Sequence, residues 1–390
     1  MEDRRLISYN ILEDVFTKNI SLKKSYEARV FGKDKKTASY IKELVYGVVR
    51  NKLLLDHLIQ QTTGKNVHDL AKKTQNLIRM AIYEILYMNH KEYAVLSTIV
   101  EIAKSQTKNN EKFVNWVLRE FLRNRDKISI PDDDSLSSLS IKYSFPEHFI
   151  EYLLQEVGLE RTKQLLEFYN SKPSTYAFRI DELEYREFKD NERLTKKEYI
   201  LDPVYLNIFR SLQLEETIDE VLDLCAAPGG KSFLVKSFLP KSKIVAIDKD
   251  PERIEMMNRN IKRLKLRNIT TFATDLFKLN LDKLFDLVIL DVPCTSTGTI
   301  RKNPDVKYNY RKKIDELVEI QNRMVEKAEE FVKEDGLLLY ITCSIFKEEN
   351  HEVIQNFLRK NKDYKLISQF FTFGDPFNGG YGALLRKTGG

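Results

Sequence analysis

Cysteine is scarce in this sequence, with three residues among 390. They stand at positions 225, 294 and 343, which leaves no disulfide framework and makes a reducing cytoplasm the expected compartment. The three cysteines and five histidines are nowhere grouped at the spacing of metal ligands, so no metal site is expected. A free cysteine is most often a small buried hydrophobe, and that is the first interpretation of each thiol.

Long apolar runs are also missing, and none reaches the roughly 20 residues that a membrane-spanning helix needs. The first residues, MEDRRLISYN, are charged and contain no apolar core, so neither a secretory signal nor a membrane partner is expected. Hydrophobic residues make up 42% of the chain and charged residues 31%, which is typical of a soluble globular protein with two or three domains. We expect a monomer.

Proline is absent from the first 130 residues, where apolar residues recur at helical spacings of three and four. The pattern is clearest in LISYNILEDVF, TASYIKELVYGVVRNKLLLDHLI, LIRMAIYEILYM and FVNWVLREFL. A stretch with Pro131, an Asp run and several serines then marks a boundary near residues 126–140. The sequence therefore predicts an all-helical domain over residues 1–130.

Positive charge is concentrated in that helical part. Up to Pro131 the chain has 24 Lys and Arg against 15 Asp and Glu, a net charge of +9, whereas the remainder has 40 against 43, a net charge of −3. A basic part on a near-neutral body indicates contact with a polyanion such as nucleic acid. A basic face is about as often no more than solvated surface, so charge alone does not decide the partner.

The rest of the chain has a different character. Helical patterns and one predicted strand, STYAFRI, precede Val221, after which short apolar strands alternate with amphipathic helices. The alternation predicts an α/β domain whose parallel sheet has helices on both faces, and ligands bind such folds at the carboxyl ends of the strands. We predict connecting helices and a small α/β substrate-binding subdomain over residues 140–215, and a Rossmann-like domain over 216–390.

The loop after the first strand of that domain, VLDLCAAPGGKS, lacks both the GxxxxGK[ST] and the GxGxxG phosphate-binding patterns. Its small residues nevertheless let a ligand approach the backbone, and the following helix offers free N–H groups. Asp248 ends the next strand about 20 residues later, where an acidic side chain holds ribose hydroxyls, whereas Asp250 is expected to cap the helix beginning at Pro251. Asp275 follows a third strand and could accept from an exocyclic amine. Together these strand ends predict an adenosine cofactor without phosphates.

Two thiols stand at the ends of the following strands. Asp291 closes FDLVILD, Pro293 rigidifies the turn that carries Cys294, and Cys343 follows GLLLYIT. Because the carboxyl ends of parallel strands meet at one edge of a sheet, we expect both cysteines to face one cleft with Asp291. Random placement of three thiols would rarely do this, which favours a functional interpretation over packing.

The motifs LDLCAAPGGK, DVPCTSTG and TCS, in this order, resemble the Sun (Fmu) family of S-adenosylmethionine-dependent RNA cytosine-5 methyltransferases. ELVYGVVRNKLLLDHLI, LIRMAIYEILYM and FVNWVLR are similar to the NusB-type RNA-binding domain of its bacterial members. The resemblance implies a Rossmann-like methyltransferase domain preceded by an all-α NusB-like domain. It further implies S-adenosylmethionine as cofactor and a single-stranded or flipped cytosine of small-subunit (16S) rRNA as target.

The resemblance also implies site residues. The cofactor would lie against the glycine-containing loop and the strand-end acids, namely Cys225, Ala226, Ala227, Pro228, Gly229, Gly230, Lys231, Asp248, Asp275 and Asp291. RKNPDVKY looks like the family's substrate-facing segment. Between EYILDP and LDLC, and again at NGGYGALLRK, the chain departs from the family pattern, and no residue is carried over from the first of these stretches.

On this resemblance, Cys343 is the attacking thiolate, Cys294 is the partner that assists release, and Asp291 is the carboxyl group that shares a proton with N3. Addition of a thiolate to C6 of cytosine makes C5 enamine-like, which splits a difficult methylation into two easier steps. In DNA cytosine methyltransferases the thiol that follows proline attacks instead. The residues by themselves therefore leave open which of the two thiols attacks.

Other functions compete with this one. The same fold could methylate an amine, although such enzymes hold the amine with an Asn/Asp-Pro-Pro-aromatic turn and need no thiol. The target could be another RNA such as tRNA. The chain could also be a non-catalytic RNA-binding assembly factor, but loss of activity should first erase the cysteines and the cofactor acids, which are all present.

Overall fold

The computed structural model describes residues 3–189, 192–212, 214 and 217–389. The chain divides into two compact units. A helical unit extends to Ser171 and includes residues 302–308, whereas an α/β unit comprises 172–301 and the chain from Asn309 onward. The limits of these two units differ from the domain limits that the sequence predicts. The predicted domains at 1–130, 140–215 and 216–390 stay predictions.

The helical unit is a set of helices around one apolar core. In its described part these are α1 (Arg4–Phe16), α2 (Leu22–Val30), α3 (Lys35–Arg50), α4 (Lys52–Thr63), α5 (Lys72–Tyr87), α6 (Glu92–Gln106), α7 (Glu111–Asn124), α8 (Leu136–Tyr143) and α9 (Glu147–Asn170). The apolar positions that predicted them, such as Leu44, Leu77 and Val117, are fully buried. The predicted helical architecture is confirmed, and the long pattern over residues 37–59 forms two helices because Asn51 ends α3 and precedes α4.

Part of the segment RKNPDVKY packs within the helical unit. The Asp305 carboxylate accepts from the backbone N–H of Leu22 at 3.2 Å, where α2 begins. The fully buried Lys307 ammonium donates to the carbonyl of Arg50 at 2.7 Å and lies 4.0 Å from the centre of the Phe145 ring. Burial lowers the pKa of Lys307. These two side chains are therefore engaged by protein groups, a packing role that the resemblance does not imply.

The α/β unit begins with a small antiparallel sheet in the strand order β2–β1–β3. Its strands are β1 (Thr175–Arg179), β2 (Glu184–Phe188) and β3 (Glu198–Ile200), and α10 (Pro203–Leu212) follows them. The strand predicted from STYAFRI is β1.

The second sheet has the order β6–β5–β4–β7–β8–β10–β9. Its strands are β4 (Glu220–Asp223), β5 (Lys243–Asp248), β6 (Ile269–Ala273), β7 (Phe285–Asp291), β8 (Val332–Thr342), β9 (Tyr364–Thr372) and β10 (Gly380–Lys387). The helices between them are α11 (Gly230–Phe238), α12 (Pro251–Leu264), α13 (Val306–Asn309), α14 (Ile314–Glu329) and α15 (His351–Lys360). Strands β4 to β8 pair in parallel, which confirms the predicted Rossmann-like sheet.

One edge of this sheet differs from the prediction, because β10 pairs antiparallel with both β8 and β9. Only a short turn joins β9 to β10, and a short turn can join only antiparallel neighbours. The parallel strands are buried on both faces, as Leu222, Val288 and Leu338 illustrate, so they form near-continuous apolar runs in the sequence.

The N-terminus of α12 is capped as the sequence predicts. The Asp250 carboxylate accepts from the N–H groups of Glu252 and Arg253 at 2.9 and 3.2 Å, and Pro251 opens α12. Asp250 is thus a helix cap, as predicted. Across the described ranges, no helix is both long and apolar enough to cross a bilayer.

Candidate active site

The loop between β4 and α11 is shaped by close packing against its neighbours. The N–H of Ala226 donates to the carbonyl of Ile247 at 2.8 Å, which ties the loop to the end of β5. Gly229 has a φ of +112°, and a Cβ atom there would lie 2.2 Å from the Phe233 ring. Only glycine fits this position, because the Phe233 ring packs directly against the backbone of the loop just before the first turn of α11.

Asp248 holds this loop from the end of β5. Its carboxylate is 4% exposed and accepts from the N–H groups of Ala227 and Asp250 at 3.2 and 3.0 Å. Arg253 lies 3.2 Å from the same carboxylate and also donates to the Ala227 carbonyl. Arg253 was not among the predicted site residues. Its position in the first turn of the helix that Asp250 caps was the sequence feature that could have identified it.

Asp275 lies at the end of the neighbouring strand, as its position in the sequence suggests. The N–H of Thr274 donates to the carbonyl of Asp248 at 3.0 Å, so the ends of β5 and β6 lie side by side. The Asp275 carboxylate accepts from the N–H of Phe277 at 2.9 Å and begins a short 3₁₀ turn. No hydrogen bond joins its side chain to the loop after β4 in the part of the chain that is described.

Asp223 ends β4 and is fully buried beneath the loop. One carboxylate oxygen accepts from the Ser232 hydroxyl at 2.6 Å, and the other has no hydrogen-bond partner among the described residues. Burial raises the pKa of Asp223 to about 7. The sequence pattern predicts no role for Asp223, although an acid directly before a glycine-containing loop is a usable signal.

Lys231 and Asp291 form an ion pair between the loop and the end of β7, with 2.5 Å between Nζ and Oδ2. Burial by itself would lower the pKa of Lys231, but the Asp291 carboxylate, together with Tyr205 and Cys343, holds that pKa above its ordinary value. The Lys231 ammonium also lies 4.0 Å from the centre of the Tyr205 ring. Tyr205 belongs to α10, in the stretch from which no residue was carried over, so no sequence pattern had singled it out.

The two predicted thiols meet at the ends of β7 and β8. The Sγ atoms of Cys294 and Cys343 are 3.3 Å apart, and the Ser296 hydroxyl lies 3.5 Å from Cys343 Sγ. The N–H of Gly298 donates to the carbonyl of Cys343 at 2.9 Å and joins the two loops. A Cβ atom on Gly298 would lie 2.2 Å from the carbonyl oxygen of Gly379, so the divergent NGGYGALLRK stretch packs directly on the loop that follows Cys294.

The two thiols have opposite pKa shifts. A hydrogen bond from Cys294 lowers the pKa of Cys343 more than burial raises it, and Ser296 adds to the lowering. The same hydrogen bond raises the pKa of Cys294, together with burial and the Cys343 and Glu349 charges. Of the pair, Cys343 is therefore the better thiolate and Cys294 the better proton donor.

Cys225, the third cysteine, differs from this pair. Burial raises its pKa, and the carboxylates of Asp291, Asp223 and Asp248 raise it further. A thiol with a raised pKa is a poor nucleophile, so Cys225 is suited to line the loop rather than to attack. The described residues contain no group of three or more His, Cys, Asp or Glu side chains placed to hold a metal ion.

Two family matches cover most of the chain. Residues 210–384 match the family described as 16S rRNA methyltransferase RsmB/F, and residues 2–123 match the NusB family. A protein of Erwinia tasmaniensis called ribosomal RNA small subunit methyltransferase B is 26% identical, and the match covers 99% of both chains. A protein of the same name from Serratia proteamaculans is 27% identical, with 85% of this chain and 84% of its own covered.

Solved structures share the fold. The crystal structure of PH0851 matches with a TM-score of 0.74 and 22% identity over 99% of both chains. The structure of NSun6 from Pyrococcus horikoshii with SFG matches with a TM-score of 0.55 and 18% identity, over 64% of this chain and all of its own. At these identities the likeness concerns the fold alone.

Proposed function

Because the chain belongs to the RsmB/F methyltransferase family through residues 210–384 and to the NusB family through residues 2–123, we propose that it methylates C5 of a cytosine in small-subunit rRNA. The names of the curated relatives support rRNA as the substrate class. The single observation that carries the C5 chemistry is the pair of thiols with 3.3 Å between their Sγ atoms. Methylation of an amine would need neither thiol.

The residues around the loop fit S-adenosylmethionine, which supplies a methyl group on a sulfonium. The Asp248 carboxylate is placed to accept from ribose hydroxyls. No side chain of the described residues caps the first turn of α11, so its N–H groups suit a polar part of the ligand. Asp275 at the next strand end is suited to accept from an exocyclic amine. A related fold was solved with SFG, an analogue of S-adenosylmethionine.

Attack is assigned to Cys343. Its thiolate forms a bond to C6 of the cytosine, and the displaced electron pair makes C5 nucleophilic toward the methyl group. Negative charge develops at N3 and O2, and the Asp291–Lys231 pair shares a proton with N3 to stabilise it. The lowered pKa of Cys343 supports this assignment over the exchanged one.

Release is assigned to Cys294. After methyl transfer the C5 proton leaves to solvent, its electron pair restores the C5–C6 double bond, and the C6–Sγ bond breaks. Cys343 then departs as a thiolate, which the Cys294 thiol stabilises through its hydrogen bond. A variant without this donor would retain the bond between enzyme and RNA for longer.

RNA affinity is assigned to the helical unit, where charge is most concentrated. Residues 17–42 contain eight Lys and Arg against two Asp and Glu, a net charge of +6. Within them residues 31–36, which are the turn between α2 and α3 and the first two residues of α3, are exposed throughout, and the Phe31 side chain is 90% exposed. We call residues 31–36 the basic turn. Exposed aromatic rings among cations are suited to stack on unpaired bases while the cations contact phosphates.

The test is to supply the full-length protein with labelled S-adenosylmethionine and either 16S rRNA or tRNA, and to identify the methylated nucleoside by mass spectrometry. We expect 5-methylcytidine in 16S rRNA, and no product from the Cys343→Ala control. Bisulfite sequencing of rRNA from a strain without the gene should locate the cytosine. A methylated amine, or 5-methylcytidine in tRNA alone, would contradict the proposal.

A further inference from the structure

Two fully buried polar side chains hold the turn that carries Cys294, and the proposed reaction uses neither of them. The Glu349 carboxylate accepts from the N–H of Thr295 at 2.8 Å and from its hydroxyl at 2.5 Å. The Gln321 amide donates to the carbonyl of Pro293 at 2.9 Å and to Glu349 at 3.1 Å. Gln321 therefore holds the residue before Cys294, and Glu349 holds the residue after it.

A carboxylate shut away from water is costly unless hydrogen bonds satisfy it. The Glu349 carboxylate receives three hydrogen bonds, and all of them come from the Cys294 turn or from the residue that holds the other side of that turn. A neutral side chain could fill the same space with less desolvation. This charge lies against the turn that carries one of the two reacting thiols, and its position there indicates a role in the reaction.

We propose that Glu349, held in place by Gln321, is a positioning residue for Cys294: it fixes the turn so that the Cys294 thiol faces the Cys343 sulfur and assists product release. This inference rests on the proposed function, since it presupposes that Cys343 attacks and that Cys294 helps it to leave.

The Glu349 charge also makes the two thiols unequal. Either sulfur could donate across the 3.3 Å contact, so the contact alone does not say which thiol keeps its proton. A negative charge on the Cys294 side disfavours a Cys294 thiolate, whereas the hydrogen bond of the Ser296 hydroxyl favours a Cys343 thiolate. Glu349 thus keeps Cys294 in the protonated form that can stabilise a departing Cys343.

The experiment compares Glu349→Gln and Gln321→Met with wild type in single turnover, using full-length protein, labelled S-adenosylmethionine and the RNA substrate. Glu319→Gln, an exposed carboxylate on the same helix as Gln321, is the matched control. We expect both test variants to form the covalent enzyme–RNA adduct at near wild-type rate and to release methylated RNA about tenfold more slowly or worse, because a small misplacement of a reacting group is costly. The adduct should then persist on denaturing gels.

A double-mutant cycle separates positioning of Cys294 from a general structural role. If Glu349 acts through Cys294, adding Glu349→Gln to Cys294→Ala should slow release no further, since coupled residues are not additive. Additive slowing, release at the wild-type rate, or loss of adduct formation in both test variants would overturn the inference. If the wild type itself formed neither an adduct nor 5-methylcytidine, the proposed function would fail instead, so the two failures are distinguishable. Gln321→Met decides the matter if Glu349→Gln does not fold.

Discussion

Replacing Asp223 by Asn should stabilise the folded protein, and the gain should grow with pH. Burial raises the pKa of Asp223 from 3.8 to about 7 in the folded state. The folded protein therefore keeps this proton over a pH range in which the unfolded chain has lost it. The contribution to stability is complete below about pH 4 and is lost as the pH rises toward 7. Asn has the same shape and can still accept from the Ser232 hydroxyl, but it has no proton to lose.

The size of the effect follows from the two pKa values. One pKa unit corresponds to about 1.4 kcal/mol. Relative to its value below about pH 4, the free energy of unfolding of the wild type is therefore lower by about 1.7 kcal/mol at pH 5 and by about 4.3 kcal/mol at pH 8. The free energy of unfolding of the Asn variant does not fall in this way, because Asn has no proton to lose. The stability of the variant relative to wild type should therefore rise by about 2.6 kcal/mol between these two pH values.

The assay is urea denaturation followed by far-UV circular dichroism, at pH 5 and pH 8, without cofactor. Wild type, Asp223→Asn and a control variant, Asp219→Asn, are compared at each pH. Asp219 is exposed just before the same strand, so its replacement should leave the pH dependence of wild type unchanged. If the difference between Asp223→Asn and wild type were the same at both pH values, the buried carboxyl group would not have the assigned pKa.

The remaining predictions concern the reaction and its ligands. Cys343→Ala should abolish both turnover and the covalent adduct, whereas Cys294→Ala should accumulate the adduct on denaturing gels. In wild type at neutral pH, iodoacetamide should modify Cys343 faster than Cys294, and Cys294→Ala should slow that modification because the thiolate loses its hydrogen-bond donor. Asp248→Ala should weaken S-adenosylmethionine binding by about 1–3 kcal/mol in calorimetry, the cost of unpaired ribose hydroxyls. Phe31→Ala should weaken RNA binding about 5- to 150-fold, the range for loss of one base stack, with a steep salt dependence in both proteins.

Each of these predictions has an outcome that would contradict it. An adduct that is absent in Cys294→Ala and trapped in Cys343→Ala would exchange the two roles. If Asp248→Ala bound S-adenosylmethionine with the affinity of the wild type, Asp248 would not belong to the cofactor site. For RNA binding the control is Tyr93→Ala, which removes another highly exposed aromatic ring from the helical unit. Equal losses from Phe31→Ala and Tyr93→Ala would show that the basic turn has no special role.

Much of the fold could be predicted because it depends on local patterns. The helices α3 and α7 show apolar residues at helical spacing along one face, and a helix buries such a stripe wherever it packs. Asp250 before Pro251 predicted a cap from the chemistry of a helix end alone. The short apolar strands likewise depend on a few neighbouring residues.

Other features depend on contacts between residues far apart in the chain, and only the tertiary structure decided them. The sequence put Cys294 and Cys343 at strand ends, but their 3.3 Å separation depends on the parallel pairing of β7 with β8. The pairing of Lys231 with Asp291 and the burial of Glu349 behind Cys294 arise in the same way. A sequence pattern specifies which way a side chain points along its own element. Which charges it meets is set by the packing of other elements, and those charges separate an attacking thiolate from the thiol that helps it to leave.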